Sequence, residues 1–236
     1  MSSLLHKLIL LIWLLSFPVA SAQEKKVPKL LFLGDSVHRQ IVEGAGGQLG
    51  GQVSLHFPPG ASPYDSGTAL AKIDSLLGEA QWDIIYFNFG IGDLFYKDPA
   101  TKEIRVMCKS NGGVRVSTPA QYEKQLDGLV QRLKATKARL IWGNTTPLIT
   151  ISAWAQPLRD RLFDAKSEIE YNAIAARVMA KHNVPVVDLH SHVMAQFKPD
   201  EAHPHYSLYA GVMAKKGQPL PAPLVQALKA VASEIR

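Results

Sequence analysis

The chain has 236 residues, 47% of them hydrophobic, one cysteine and a formal net charge of +6. Such a length and apolar content describe one domain that buries its own core, and exclude a disordered or low-complexity chain. With Cys108 alone no internal disulfide can form, and the basic residues are spread along helical segments as solvated surface rather than gathered for nucleic acid.

The amino end reads as an address. Lys7, the apolar stretch Leu8 to Leu15, Phe17-Pro18, and the small residues Ala20 and Ala22 before Gln23 are the parts of an export signal. The apolar stretch is shorter than the roughly 20 residues a membrane span needs, and no later segment supplies one. Residues 1–22 are therefore expected to be a signal peptide. The mature chain, 23–236, is expected to be a single exported domain, periplasmic or secreted.

From there apolar, β-rich runs alternate with helical periods. Leu30 to Leu33 is the first predicted strand, continuous in the manner of a strand buried on both faces. Val53 to Phe57 follows, then a helical stripe of Leu70, Ile73, Leu76 and Leu77, then a strand at Ile84 to Phe89. Thr118-Pro119 caps and opens a helix whose stripe is Tyr122, Leu126, Leu129, Val130 and Leu133. A strand at Leu140 to Trp142, a stripe of Ile169, Ile174 and Val178, and a strand at Val184 to Val187 come next. Pro221 and Pro223 start a last helix with Leu224, Leu228, Val231 and Ile235 on its buried face. This alternation predicts a three-layer α/β/α doubly wound parallel sheet of about five strands, ordered as in flavodoxin. Two connections, Asp98 to Ser117 and Thr145 to Asp164, are longer than usual. Both follow strand ends, where such sheets bind ligands, so they are candidate walls of a substrate cleft or else surface insertions.

Gly34-Asp35-Ser36 stands directly after the first strand, where a nucleophile would stand. The same tripeptide is also ordinary turn and cap chemistry. A serine hydroxyl needs a base to take its proton and a third group to orient that base. Asp200 and His203 offer both, three residues apart in one loop after the fifth strand. Asn88 to Asp93 ends the third strand in a glycine turn whose backbone N–H groups suit an oxyanion.

Together these segments resemble the SGNH or GDSL hydrolases, whose blocks occur in this order. Gly34-Asp35-Ser36 matches the first block, and Asp200 with His203 matches the Asp-x-x-His block. Tyr86 to Gly90 with Asp93-Leu94, Ile141 to Pro147, and Tyr171-Asn172 resemble segments of a bacterial subgroup. The resemblance implies a serine ester hydrolase: Ser36 as nucleophile, His203 as base, Asp200 as its orienting carboxylate, and N–H donors at Ser36, Gly60 and Gly92. It implies esterase, lipase or carbohydrate deacetylase activity on a small-molecule or carbohydrate ester, with no cofactor.

Three positions depart from the family. Its third block reads Gly-x-Asn-Asp, whereas Gly90-Ile91-Gly92-Asp93 places at Gly92 no side chain to donate. The second block falls on the proline-rich Pro58 to Pro63, where Gly60 is the nearest donor and Pro63 has no N–H. His205-Tyr206-Ser207 resembles the family's His-aromatic-hydroxyl run, which makes His205 the alternative base. These departures motivate a second expectation, a non-catalytic member that binds a glycan or an envelope partner.

Other residues admit further readings. His190, His192, His203 and His205 form two His-x-His pairs of the type metal sites use, against a reading as solvated loop histidines; no metal is expected. His38 and Arg39 are expected as exposed residues of the first helical turn, with Arg39 available to an anionic group. Tyr96 and Trp154 are candidates to stack on sugar rings, and Trp142 is expected in the core.

Overall fold

The structure is a computed structural model, and it describes residues 26–58, 65–147, 164, 166–195 and 221–235. Among these the strands are β1 (Lys29–Leu33), β2 (Ser54–His56), β3 (Ile84–Phe87), β4 (Tyr96–Lys97), β5 (Val114–Arg115), β6 (Arg139–Gly143) and β7 (Val186–Val187). The helices are α1 (Ser36–Leu49), α2 (Ser66–Ala71), α3 (Ile73–Leu77), α4 (Ile91–Leu94), α5 (Pro119–Ala135), α6 (Ser167–His182), α7 (Leu189–Met194) and α8 (Ala222–Ile235).

Leu30 to Leu33 and Ile84 to Phe87 are wholly buried, because both faces of the sheet are covered. Five strands pair in parallel in the order β2-β1-β3-β6-β7, the flavodoxin order expected. The order reverses beside β1, so the carboxyl ends of β1 and β3 flank the crevice of the sheet. Right-handed crossovers place α1 on one face and the helices of the later crossovers on the other. α1 packs with α8, while α5 packs with α2 and α6. The connection after β3 builds its own antiparallel ribbon, β4 with β5.

The helical stripes hold with three corrections. All five apolar residues expected on α5 are fully buried, and Thr118 closes a capping box with Gln121. On α6 Ile169 is 54% exposed, and the buried face is instead Glu168, Tyr171, Ile174, Ala175, Val178 and Met179. Ile169 and Ile174 are five positions apart, so the two cannot share a helical face. The single stripe expected from Leu70 to Leu77 is carried by two short helices, α2 and α3, which meet at Lys72. Val231 and Ile235 are only partly buried, and Val225 and Ala232 share the buried face of α8 with Leu224 and Leu228.

Gly143 ends β6 where no side chain fits: a Cβ would stand 2.0 Å from the Tyr86 hydroxyl and 2.9 Å from His38 Cε1. Both neighbours are core side chains without room to move. Gly143→Ala is expected to lower the urea midpoint by an amount worth about 1–3 kcal/mol, as overpacking does, and Tyr86→Phe in the same chain to restore part of it.

Candidate active site

The turn Gly34-Asp35-Ser36 is held from three sides. Asp35 Oδ1 accepts from the N–H groups of Val37 and His38, each at 2.9 Å, and so caps α1. Asn88 N–H donates to the Leu33 carbonyl at 2.9 Å, clasping the end of β3 to the end of β1. Gly34 lies so close to that junction that a Cβ would stand 2.7 Å from the Asn88 carbonyl oxygen, which is why the residue before Asp35 is glycine. Ser36, first residue of the helix, is exposed, while Gly34 and Asp35 are buried. Its N–H meets no acceptor among the described residues, since the Asp35 carboxylate is taken up by the next two amides.

His38 departs from expectation. It is 1% exposed, and its Nδ1 lies 2.8 Å from the Tyr86 hydroxyl. Burial holds the imidazole below its ordinary range, against the Asp35 carboxylate and the Asn144 backbone, which favour the cation. The pattern carried the signal: His38, Ile41, Val42, Ala45 and Leu49 share the inward face of α1. Arg39 is exposed as expected, paired with Glu43 at 3.0 Å and stacked over the Phe57 ring at 4.3 Å.

Along the carboxyl edge of the sheet, asparagines join neighbouring strand ends and, through Asn172, helix α6 to the segment after β6. Asn88 Nδ2 donates to the Gly143 carbonyl at 2.7 Å. Asn144 Nδ2 donates to Asp188 Oδ1 at 2.7 Å, and its Oδ1 accepts from the His190 N–H at 2.9 Å. Asn172 accepts from the Thr145 N–H at 2.9 Å and donates to the Thr145 carbonyl at 2.8 Å. Partial burial would raise the Asp188 carboxyl, but the bonds from Ser191 and Asn144 hold it below its ordinary value. His190 Nε2 faces the buried Glu168 carboxylate at 3.5 Å.

After β3, Gly90 passes so close to Thr145 that a Cβ would stand 2.0 Å from its hydroxyl. The chain then turns through α4, which buries Gly92 and Asp93. Burial pushes the Asp93 carboxyl up to about 7, against hydrogen bonds from Ser66 and Ser117. Beyond α4, Tyr96 does not offer its face to a ligand: it is 3% exposed, and its hydroxyl donates to Asp164 at 2.6 Å. Arg115 binds the same carboxylate at 2.7 Å, with Lys109 at 3.6 Å, so the β4–β5 ribbon is tied to the far end of the second long connection. Trp142 is fully buried in the core as expected.

Gly60, Asp200, His203, His205 and Trp154 lie outside the described residues. Among the described residues no group of three or more His, Cys, Asp or Glu is arranged to hold a metal.

The model of the GDSL-like lipase/acylhydrolase family matches residues 32–209. The chain belongs to that family. As a GDSL-like hydrolase it is a carboxylic ester hydrolase. No curated protein matches it. Solved structures with the same fold include a lipase/acylhydrolase from Enterococcus faecalis at 16% identity and TM-score 0.57, over 86% of this chain and 96% of that one. An acetyl-xylooligosaccharide esterase from Geobacillus aligns at 16% identity and TM-score 0.54, over 87% of this chain and 94% of that one. An acetyl xylan esterase aligns at 14% identity and TM-score 0.54, over 80% of this chain and 98% of that one.

The buried His38 gives the fold of this hydrolase a pH dependence with a definite sign. Its folded value lies below the unfolded value of 6.5, so its contribution to stability is present above 6.5 and is lost as pH falls. His38→Gln cannot titrate. The urea midpoint at pH 7.5 minus that at pH 5.5 is expected to be lower, or more negative, in that variant than in the parent.

Proposed function

We propose that this GDSL-like hydrolase is an exported serine esterase that removes O-acyl groups, with O-acetylated carbohydrate as the favoured substrate class. The observation that carries the serine mechanism is the exposed Ser36 at the amino end of α1, beyond the carboxyl end of β1, beside a cap that leaves its own N–H open. In this reading Ser36 Oγ attacks the acyl carbonyl while His203, oriented by Asp200, takes its proton. The oxyanion is met by N–H groups at Ser36, Gly60 and Gly92. Collapse breaks the ester C–O bond, the alcohol leaves with the proton from His203, and water then releases the acid from the acyl-enzyme by the same steps. The carbohydrate preference draws on the acetylated-xylan esterases among the structural neighbours, since Tyr96 is committed to Asp164 and Trp142 to the core. Export draws on the amino-terminal pattern that ends at Ala22.

The test is turnover of acetylated xylo-oligosaccharides together with covalent labelling by a fluorophosphonate. Parent protein is expected to label at Ser36, and Ser36→Ala to lose labelling and at least about a thousandfold in kcat. His203→Ala is expected to fall comparably and His205→Ala far less; the reverse order would move the base to His205. Absence of labelling in the parent, with binding to the oligosaccharide kept, would favour a glycan-binding member without catalysis. Amino-terminal sequencing of exported protein is expected to begin at Gln23.

A further inference from the structure

The ester chemistry makes no use of the carboxyl group that follows Gly92. Asp93 is 0% exposed. Its Oδ2 lies 3.0 Å from the Ser66 N–H, at the amino end of α2, and its Oδ1 lies 2.6 Å from Ser66 Oγ. Ser66 Oγ is in turn 2.9 Å from Gln125 Oε1, and Ser117 Oγ is 3.0 Å from the same amide oxygen. The Asp93 carbonyl accepts from the Ser117 N–H at 3.2 Å. One carboxyl thus sits between α2, the α4 turn and the entry to α5.

The protons of this cluster can be counted. A hydroxyl carries one hydrogen, so Ser66 cannot donate to both Asp93 and Gln125. An ionised Asp93 would claim the Ser66 hydrogen, and the Gln125 oxygen would then face a hydroxyl lone pair at 2.9 Å unless its amide turned over. A protonated Asp93 removes the conflict. Its Oδ1–H donates to Ser66 Oγ, Ser66 donates to Gln125 Oε1, the Ser66 N–H keeps Oδ2, and the Ser117 hydroxyl, within reach of both Gln125 Oε1 and the Asp93 carboxyl, donates to either without conflict.

The surroundings favour that state. Asp65, which caps α2, repels a charge on Asp93. Tyr122 of α5 and Tyr171 of α6 face it as neutral phenols, both held above their ordinary value chiefly by burial. The groups acting most strongly on Asp93 include no cation.

We propose that Asp93 is a positioning residue that works as a neutral carboxylic acid: its proton runs through Ser66 to Gln125 and locks the Gly92 turn to the amino end of α2, and ionisation breaks the lock. The effect on turnover rests on the ester-hydrolase reading, whereas the protonation state does not. The folded value, about 7, is raised above the ordinary 3.8, so the stabilisation is complete below 3.8 and is lost as pH rises through 7.

The test joins an infrared titration to a pH profile. In D2O the parent-minus-Asp93→Asn difference spectrum is expected to show a protonated-carboxyl band that disappears with a midpoint near 7. With p-nitrophenyl acetate, parent kcat is expected to fall on the alkaline side at constant KM, opposite to the acid limb of the histidine base. Asp93→Ala should lose on the order of tenfold to a hundredfold in kcat. The conservative Asp93→Asn should restore most of that and flatten the alkaline limb. A band that titrates in the ordinary carboxylate range, or an unaltered alkaline limb in Asp93→Asn, overturns the proposal. If Asp93→Asn does not fold, Ser66→Ala replaces it: a shifted band midpoint supports the relay and an unshifted one overturns it. If the parent turns over no ester, the Ser36 mechanism fails, and the infrared band alone decides for or against the neutral carboxyl.

Discussion

The close approach of the β1–α1 turn to the end of β3 is the contact on which the carboxyl edge of this sheet depends. Gly34 permits it, because any larger residue would press on the Asn88 carbonyl. Asn88 secures it twice, through its N–H to Leu33 and through its side chain to Gly143 on the next strand. With the strand ends fixed, the Asp35 cap sets where α1 begins, and the start of α1 sets where Ser36 stands. The His38–Tyr86 pair then pins the first turn of that helix to the middle of the sheet, in space that Gly143 leaves free.

The same edge concentrates polar groups, some of them, such as Asp93 and Ser66, fully buried. Several of them pair with one another: Asn144 with Asp188, Asn172 with the Thr145 backbone, Asp93 with Ser66. Paired polar groups of this kind have few alternative arrangements, and removing one member strands its partner. An esterase gains from such stiffness, since the positions of nucleophile and donors must survive the arrival of charge on the substrate oxygen. The β4–β5 ribbon extends this order away from the sheet, where Tyr96 and Arg115 converge on Asp164.

His38 and Asp93 give the fold opposing responses to acid. Each is buried with its neutral form favoured, yet one is a base and the other an acid. Falling pH therefore works against the histidine and in favour of the carboxyl, and the two slopes partly offset across the neutral range.

The sequence by itself determined the layer architecture and the turn at Gly34-Asp35-Ser36 that follows the first strand. Short continuous apolar runs such as Leu30 to Leu33, bounded by turn residues, read as strands covered on both faces, and the Thr118-Pro119 start and the α5 stripe are local signals read within one or two turns. Even the burial of His38 was legible in the spacing of α1, although polarity argued for the surface. Tertiary structure alone decided what depends on residues distant in the chain. That Gly143 must be glycine follows from Tyr86 and His38, and that Tyr96 is committed follows from Asp164. That Asp93 is a buried acid follows from Ser66, Ser117 and Gln125, which only the packing of α2 and α5 brings to it. Periodicity reports which face of an element turns inward, and it carries no information about which polar atoms will meet there.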